Sequence, residues 1–123
     1  MLLKDFYTVQ KLDNVSEGKY NAIVKLNNQH DIFKGHFPGN PVTPGVCMMQ
    51  IIKELSQEIL GSSLFMTNSS NVKFMALINP DVHPVLRLEL EISGNLETEV
   101  KVKNTTSFED TVALKLTNTY KKV

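Results

Sequence analysis

The sequence predicts an α+β domain, one long helix combined with five or six antiparallel strands. Residues 46–60 contain neither Gly nor Pro and carry apolar side chains at helical spacing. Residues 85–92, Val-Leu-Arg-Leu-Glu-Leu-Glu-Ile, alternate with period two, as a half-buried strand does. Further short segments of this kind, separated by turn residues, fill the second half. A chain of 123 residues is near the commonest domain size and long enough for a core. The expectation is a single domain over residues 1–123.

Each element has its own signal. Residues 5–12 and 19–26 read as two strands, with turn chemistry between Asp13 and Gly18. A loop runs from about Asn27 to Pro44. In the helix, Met48, Ile52, Leu55 and Ile59 share one face, and Met49, Ile51 and Leu60 broaden it. Lys53, Glu54, Gln57 and Glu58 form its polar side, and Gly61 follows as a C-terminal cap. Residues 71–78 predict the next strand, Asn79-Pro80-Asp81 a turn, residues 85–92 a strand, and Ser93-Gly94-Asn95 another turn. Residues 96–103 then pair back, and 110–120 close the set. That many strands and one helix cannot bury both sheet faces in a monomer of this size.

Composition narrows the functional classes. Thirteen basic and thirteen acidic residues cancel, so no net charge draws the chain to nucleic acid or to a membrane surface. The first residues lack the apolar run of a signal peptide, and no stretch approaches transmembrane length; a cytoplasmic protein is expected. Cys47 is the one cysteine, which leaves no intrachain disulfide and no metal cluster.

Function is concentrated in residues 33–46, Phe-Lys-Gly-His-Phe-Pro-Gly-Asn-Pro-Val-Thr-Pro-Gly-Val. Gly and Pro restrict this backbone around one titratable side chain, His36, and the segment feeds directly into the helix N-terminus. The string G-H-F-P-G-x-P-x-x-P-G-V, Gly35 to Val46, resembles the signature of the β-hydroxyacyl-acyl carrier protein dehydratases, with nine fixed positions in twelve. Weaker likeness covers the remainder: Asn71-Val72-Lys73-Phe74 followed by Pro80 is similar to the strand and turn after the central helix of those enzymes. The resemblance implies a hotdog fold, an antiparallel β-sheet wrapped around one long central helix, paired into dimers whose sheets join edge to edge. It implies no metal and no cofactor, with the substrate carried on phosphopantetheine, either of an acyl carrier protein or of CoA.

Eliminating water from a 3-hydroxyacyl thioester needs a base for the α-proton, an acid for the departing hydroxyl, and donors for the enolate-like oxygen. Imidazole suits the first role near neutral pH. The N–H of Gly45, at the helix start, suits the third, and a well-placed donor is worth roughly 3 kcal/mol. The resemblance assigns these roles to His36 and Gly45, and places Phe37, Pro38, Gly39, Val46 and Met49 against the substrate.

The acid departs from the pattern. The family carries Glu or Asp fourteen residues after its histidine, on the partner subunit's central helix; here that position is Gln50. An amide donates hydrogen bonds but has no proton to give at a usable pKa. Where the dehydratases read Glu and then Gln four residues on, this chain reads Gln50 and then Glu54. Three readings stand open. Glu54 acts through Gln50 or a water, although one turn displaces it by about 6 Å along the axis. Alternatively a related subunit supplies the carboxylate in a heterodimer. Or the chain does not dehydrate, and is a thioesterase or a pseudo-dehydratase that binds acyl chains.

Other residues carry plainer readings beside these. Gln50 also fits an ordinary polar helix face, and Glu54 a solvated or interface carboxylate. Cys47 reads as a small packed residue. His30 and His83 read as loop residues without metal-ligand spacing. Phe33, Phe37, Met48, Met49, Met66, Phe74 and Met75 suit either an acyl tunnel or a core. Lys34, Lys73, Arg87, Lys101 and Lys103 suit either an acidic carrier or ordinary solvation.

Overall fold

A computed structural model describes residues 4–34 and 41–123. Its elements are β1 (Tyr7–Ser16), β2 (Lys19–Leu26), a short 3-10 turn (Asp31–Phe33), the helix α1 (Gly45–Leu60), β3 (Leu64–Phe74), β4 (Val85–Gly94), β5 (Val100–Phe108) and β6 (Thr111–Lys122). The six strands form one antiparallel sheet in the order β1-β2-β4-β5-β6-β3. A single long helix lies on this sheet among the described residues. This is the hotdog arrangement that the loop motif implies.

The helix forms where its spacing predicts, one residue earlier at Gly45. Cys47, Met48, Ile51, Ile52, Leu55 and Ser56 are buried against Ala22, Val24, Leu86, Leu88, Leu90, Val102, Leu114 and Leu116 of the sheet. Full burial of each large aliphatic side chain contributes about 1.5–3 kcal/mol. The buried face is shifted from the expected one: Ile59 and Leu60 stay half-buried, because the helix is ending at Gly61. That glycine adopts the left-handed conformation at φ 64°, and its N–H donates to the Gln57 carbonyl at 2.8 Å. The Gln57 side chain then accepts the N–H of Leu64 at 2.9 Å, steering the chain into β3.

Every strand but β2 departs from its expected bounds, β1, β3 and β5 the most, and β4 runs on through Ser93 and Gly94 of the expected turn. β1 continues through Asp13 and Asn14 to Ser16, because the Asn14 amide bonds the Ser16 and Lys19 carbonyls across the hairpin instead of forming a turn. β3 begins at Leu64, not at residue 71, and stops at Phe74. Its polar stretch of Thr, Asn and Ser pairs along β6, with irregularities after Met66 and after Ser70. β5 begins at Val100, four residues late, because Asn95 folds residues 95–99 into a turn. Its Oδ1 accepts the N–H groups of Glu97 and Thr98.

Candidate functional site

The site is built on the N-terminal half of α1. Pro44, at φ −62° and ψ 144°, sets the helix entry, and its carbonyl accepts the N–H groups of Cys47 and Met48. No side chain caps this end. The N–H groups of Gly45 and Val46 therefore belong to the first turn, which has no intrahelical acceptor for them. The partial positive charge of the helix N-terminus adds to them.

Gly45 sits at a close approach to a side chain of the sheet. A Cβ there would lie 2.8 Å from Cζ of Phe74 and 3.3 Å from its Cε1. The ring of Phe74, on the last residue of β3, thus sits directly against the opening of the helix.

Two apolar cavities adjoin at this contact. One, of about 640 Å³, lies between Gly45, Val46, Met49, Gln50 and Lys53 of α1 and the sheet residues Met66, Phe74 and Tyr120. The other, of about 500 Å³, lies between residues 42–45 with Met48 and residues 74–78. Thr43 lines the second cavity, and its buried hydroxyl has no hydrogen-bond partner among the described residues. Both volumes suit a small-molecule chain.

Polar order in the first cavity comes from two networks. At its inner wall, buried Asn118 accepts from the Ser69 hydroxyl at 2.6 Å and donates to the Tyr120 oxygen at 3.0 Å and to Met49 Sδ at 3.9 Å. Burial raises the pKa of the Tyr120 phenol, so it stays protonated. On α1, the Gln50 amide donates to Glu54 Oε2 at 2.8 Å, and the Tyr7 hydroxyl donates to Glu54 Oε1 at 2.8 Å. Burial first, and then the bond and charge of Glu54, push the Tyr7 phenol far above its ordinary value.

The structure brings Gly45, Val46, Met49 and Gln50 to one cavity, together with Met66 and Phe74. Glu54 lies behind Gln50, in direct contact with it and outside the cavity lining. His36, Phe37, Pro38 and Gly39 lie outside the described residues. Met48 and Met75 line the second cavity, whereas Phe33 is stacked on Phe6 in the core, with ring centroids 5.2 Å apart. His30 is structural: Nδ1 accepts from Ile32 N–H, and Nε2 faces the Lys4 carbonyl at 3.0 Å. His83 packs on Phe108 near Glu109. Cys47 is buried, and burial raises its thiol pKa. Tyr7 and Tyr120 escape sequence reasoning, since neither lies near the motif and both sit in ordinary strand patterns.

Comparison with known proteins agrees with this fold. The chain belongs to the ApeI-like family, described as ApeI dehydratase, which matches residues 12–115. It is 28% identical over 92 residues to the 3-hydroxyacyl-[acyl-carrier-protein] dehydratase FabZ of Lactococcus lactis subsp. lactis strain IL1403, covering 69% of this chain and 60% of that protein. It is 32% identical over 90 residues to the FabZ of Caulobacter sp. strain K31, covering 66% and 54%. The chain thus spans little more than half the length of these curated relatives. Among solved structures, the dehydratase heterocomplex ApeI:P from Xenorhabdus doucetiae superposes with a TM-score of 0.73 at 18% identity, covering 94% of this chain and 97% of that one. At that identity the likeness is one of fold.

Proposed function

We propose that this chain is a subunit of a 3-hydroxyacyl-thioester dehydratase, and that its carboxylate is supplied by a related partner subunit. His36 acts as the base, and the Gly45 N–H stabilises the thioester oxygen. The observation that carries the heterodimer is the placement of Glu54. Both of its oxygens are held by this chain's own Tyr7 and Gln50, and it lies one turn along α1 from Gln50, outside the cavity lining. A carboxylate so engaged is poorly placed to protonate a hydroxyl in the cavity, and Gln50, which does line it, has no proton to give.

The apolar surface supports pairing. Val46 is 67% exposed, Phe74 58% and Leu77 72%, around the helix start and the edge strand β3. The Xenorhabdus doucetiae neighbour is itself a dehydratase heterocomplex. On this reading the substrate reaches the site on the phosphopantetheine of a carrier protein or CoA, no further cofactor is needed, and the protein works in the cytoplasm.

The test follows enoyl and free thiol together from a 3-hydroxyacyl thioester, with the chain alone and co-expressed with a Glu- or Asp-bearing homologue. Dehydration is expected in the pair and not in the single chain. His36→Ala should lower it about 10²- to 10⁴-fold, and Gln50→Glu should confer it on the chain alone. Full activity of the unpaired wild type would overturn the heterodimer, and thiol release without enoyl would make the protein a thioesterase.

A further inference from the structure

Three neighbouring strands, β5, β6 and β3, carry six lysines and no carboxylate, although the whole chain is neutral. Lys103 and Lys115 alternate with the buried Val102, Asn104, Leu114 and Leu116, so they stand on the face of the sheet turned away from α1. There, with Lys73, they line a depression of about 400 Å³ that also holds Asn71, Thr105 and Thr117. A bulge sets this up. Ser70 lies opposite Thr117 and Lys73 opposite Lys115, so Asn71 and Val72 together face Leu116 alone. In an unbroken register Lys73 would stand opposite buried Leu114 and point inward. The extra residue turns Lys73 outward beside Lys115 and sets Phe74, which borders both acyl cavities, opposite Leu114. Asn71 takes the left-handed conformation, at φ 54°, to make the bulge.

The arrangement costs stability in the free protein. Like charges directly opposite on a sheet are destabilising, and Lys73 and Lys115 are such a pair. Among the described residues no carboxylate bridges Lys73, Lys103 or Lys115. Glu91, opposite Lys103 on β4, lies outside the lining, and Glu89 is engaged with Arg87 at 4.0 Å. Every polar side chain of the lining can donate: the ammonium groups, the Asn71 amide and the two threonine hydroxyls. A phosphate monoester matches that set, with a charge of about −1.5 to −2 at neutral pH and oxygens that accept strongly. Lysine meets such a group as a point charge. We propose that this depression binds a small, soluble phosphate-bearing molecule, on the opposite face of the sheet from the acyl cavities. Its volume suits a small molecule. The inference stands apart from the acyl-thioester reading and survives if that reading fails.

The experiment titrates the full chain with inorganic phosphate against sodium chloride at matched ionic strength, followed by amide NMR shifts. Wild type should show saturable, phosphate-specific shifts at Asn71, Lys73, Thr105, Lys115 and Thr117. The double variant Lys73→Gln with Lys115→Gln should bind about tenfold more weakly, the effect of losing two exposed ion contacts. In chloride it should melt no lower than wild type, because the repulsion is relieved, so weaker binding is not a failure to fold. Lys25→Gln, exposed on β2 of the same face, should leave binding unchanged. A response shared by chloride, or one undiminished in the double variant, would overturn the inference. So would shifts centred on Gly45 and Val46, which would place the anion at the helix start instead. Co-sedimentation with phosphatidylglycerol vesicles, without any phosphate-specific response, would make the face a membrane surface and overturn it too.

Discussion

Tyr7 shows how a single half-buried phenol reports on this site. Its pKa is raised, so the folded state keeps the proton where the unfolded chain, with its ordinary value near 10, gives it up. The stabilising contribution is complete below about pH 10 and is lost as pH rises beyond it, since the unfolded state then binds fewer protons than the folded one. Tyr120 shifts in the same direction. Chemical denaturation between pH 8 and 11.5 should therefore show stability falling above about pH 10, with a shallower fall in Tyr7→Phe. An equal slope in the variant would mean that Tyr7 ionises freely. At this scale the sequence was only partly informative. The motif identified Gly45 and Gln50 because they lie at fixed distances from His36 along the chain. Tyr7 meets Glu54 only after β1 is laid beside the helix, and no local pattern encodes that.

Among the elements, β4 and α1 were legible because their side-chain periods are clean and their burial is one-sided. β3 was not. Its Asn68, Ser69 and Ser70 are turn-forming types by local preference, yet they lie in a strand because β6 offers them a partner. Inward-facing polar groups there are satisfied by one another, as with Ser69 and Asn118. That pair gives a stability prediction. Ser69→Ala removes one donor to a fully buried amide oxygen and should cost about 1–3 kcal/mol in denaturant unfolding. Asn118→Ala should cost less in the Ser69→Ala background than in the wild type, the remaining loss coming from its own bond to Tyr120. Additive losses would show that the two side chains act independently. The late start of β5 has a similar origin: Asn95 consumes five residues in a turn that its neighbours' alternation conceals.

At the scale of the molecule, burial is complete on one side of the sheet and apolar exposure gathers along β3 and the segment after it. Phe65, Met66, Val72, Phe74, Met75 and Leu77 are all exposed there. If this edge carries the pairing proposed above, Leu77→Lys and Phe74→Lys should shift sedimentation toward monomer without lowering the melting temperature of the isolated chain. A dimer indifferent to both would place the interface elsewhere. The architecture itself was legible from one motif and one helix, because a single helix can bury its face only if the sheet closes over it. The choice of partner is not encoded in that geometry, since sheet edges meet through backbone groups that every homologue shares.

The strand order sets a schedule for making this protein. β3 is synthesised in mid-chain, yet in the sheet its neighbour is β6, and Leu64 waits for Lys122 before its register is complete. The wall that carries Met66 and Phe74 therefore lacks its β6 partner until β6 has left the ribosome. Long-range closure of this kind is slow relative to local helix formation. Through that interval the apolar edge of β3 stands unpaired, the kind of edge that invites association with another chain.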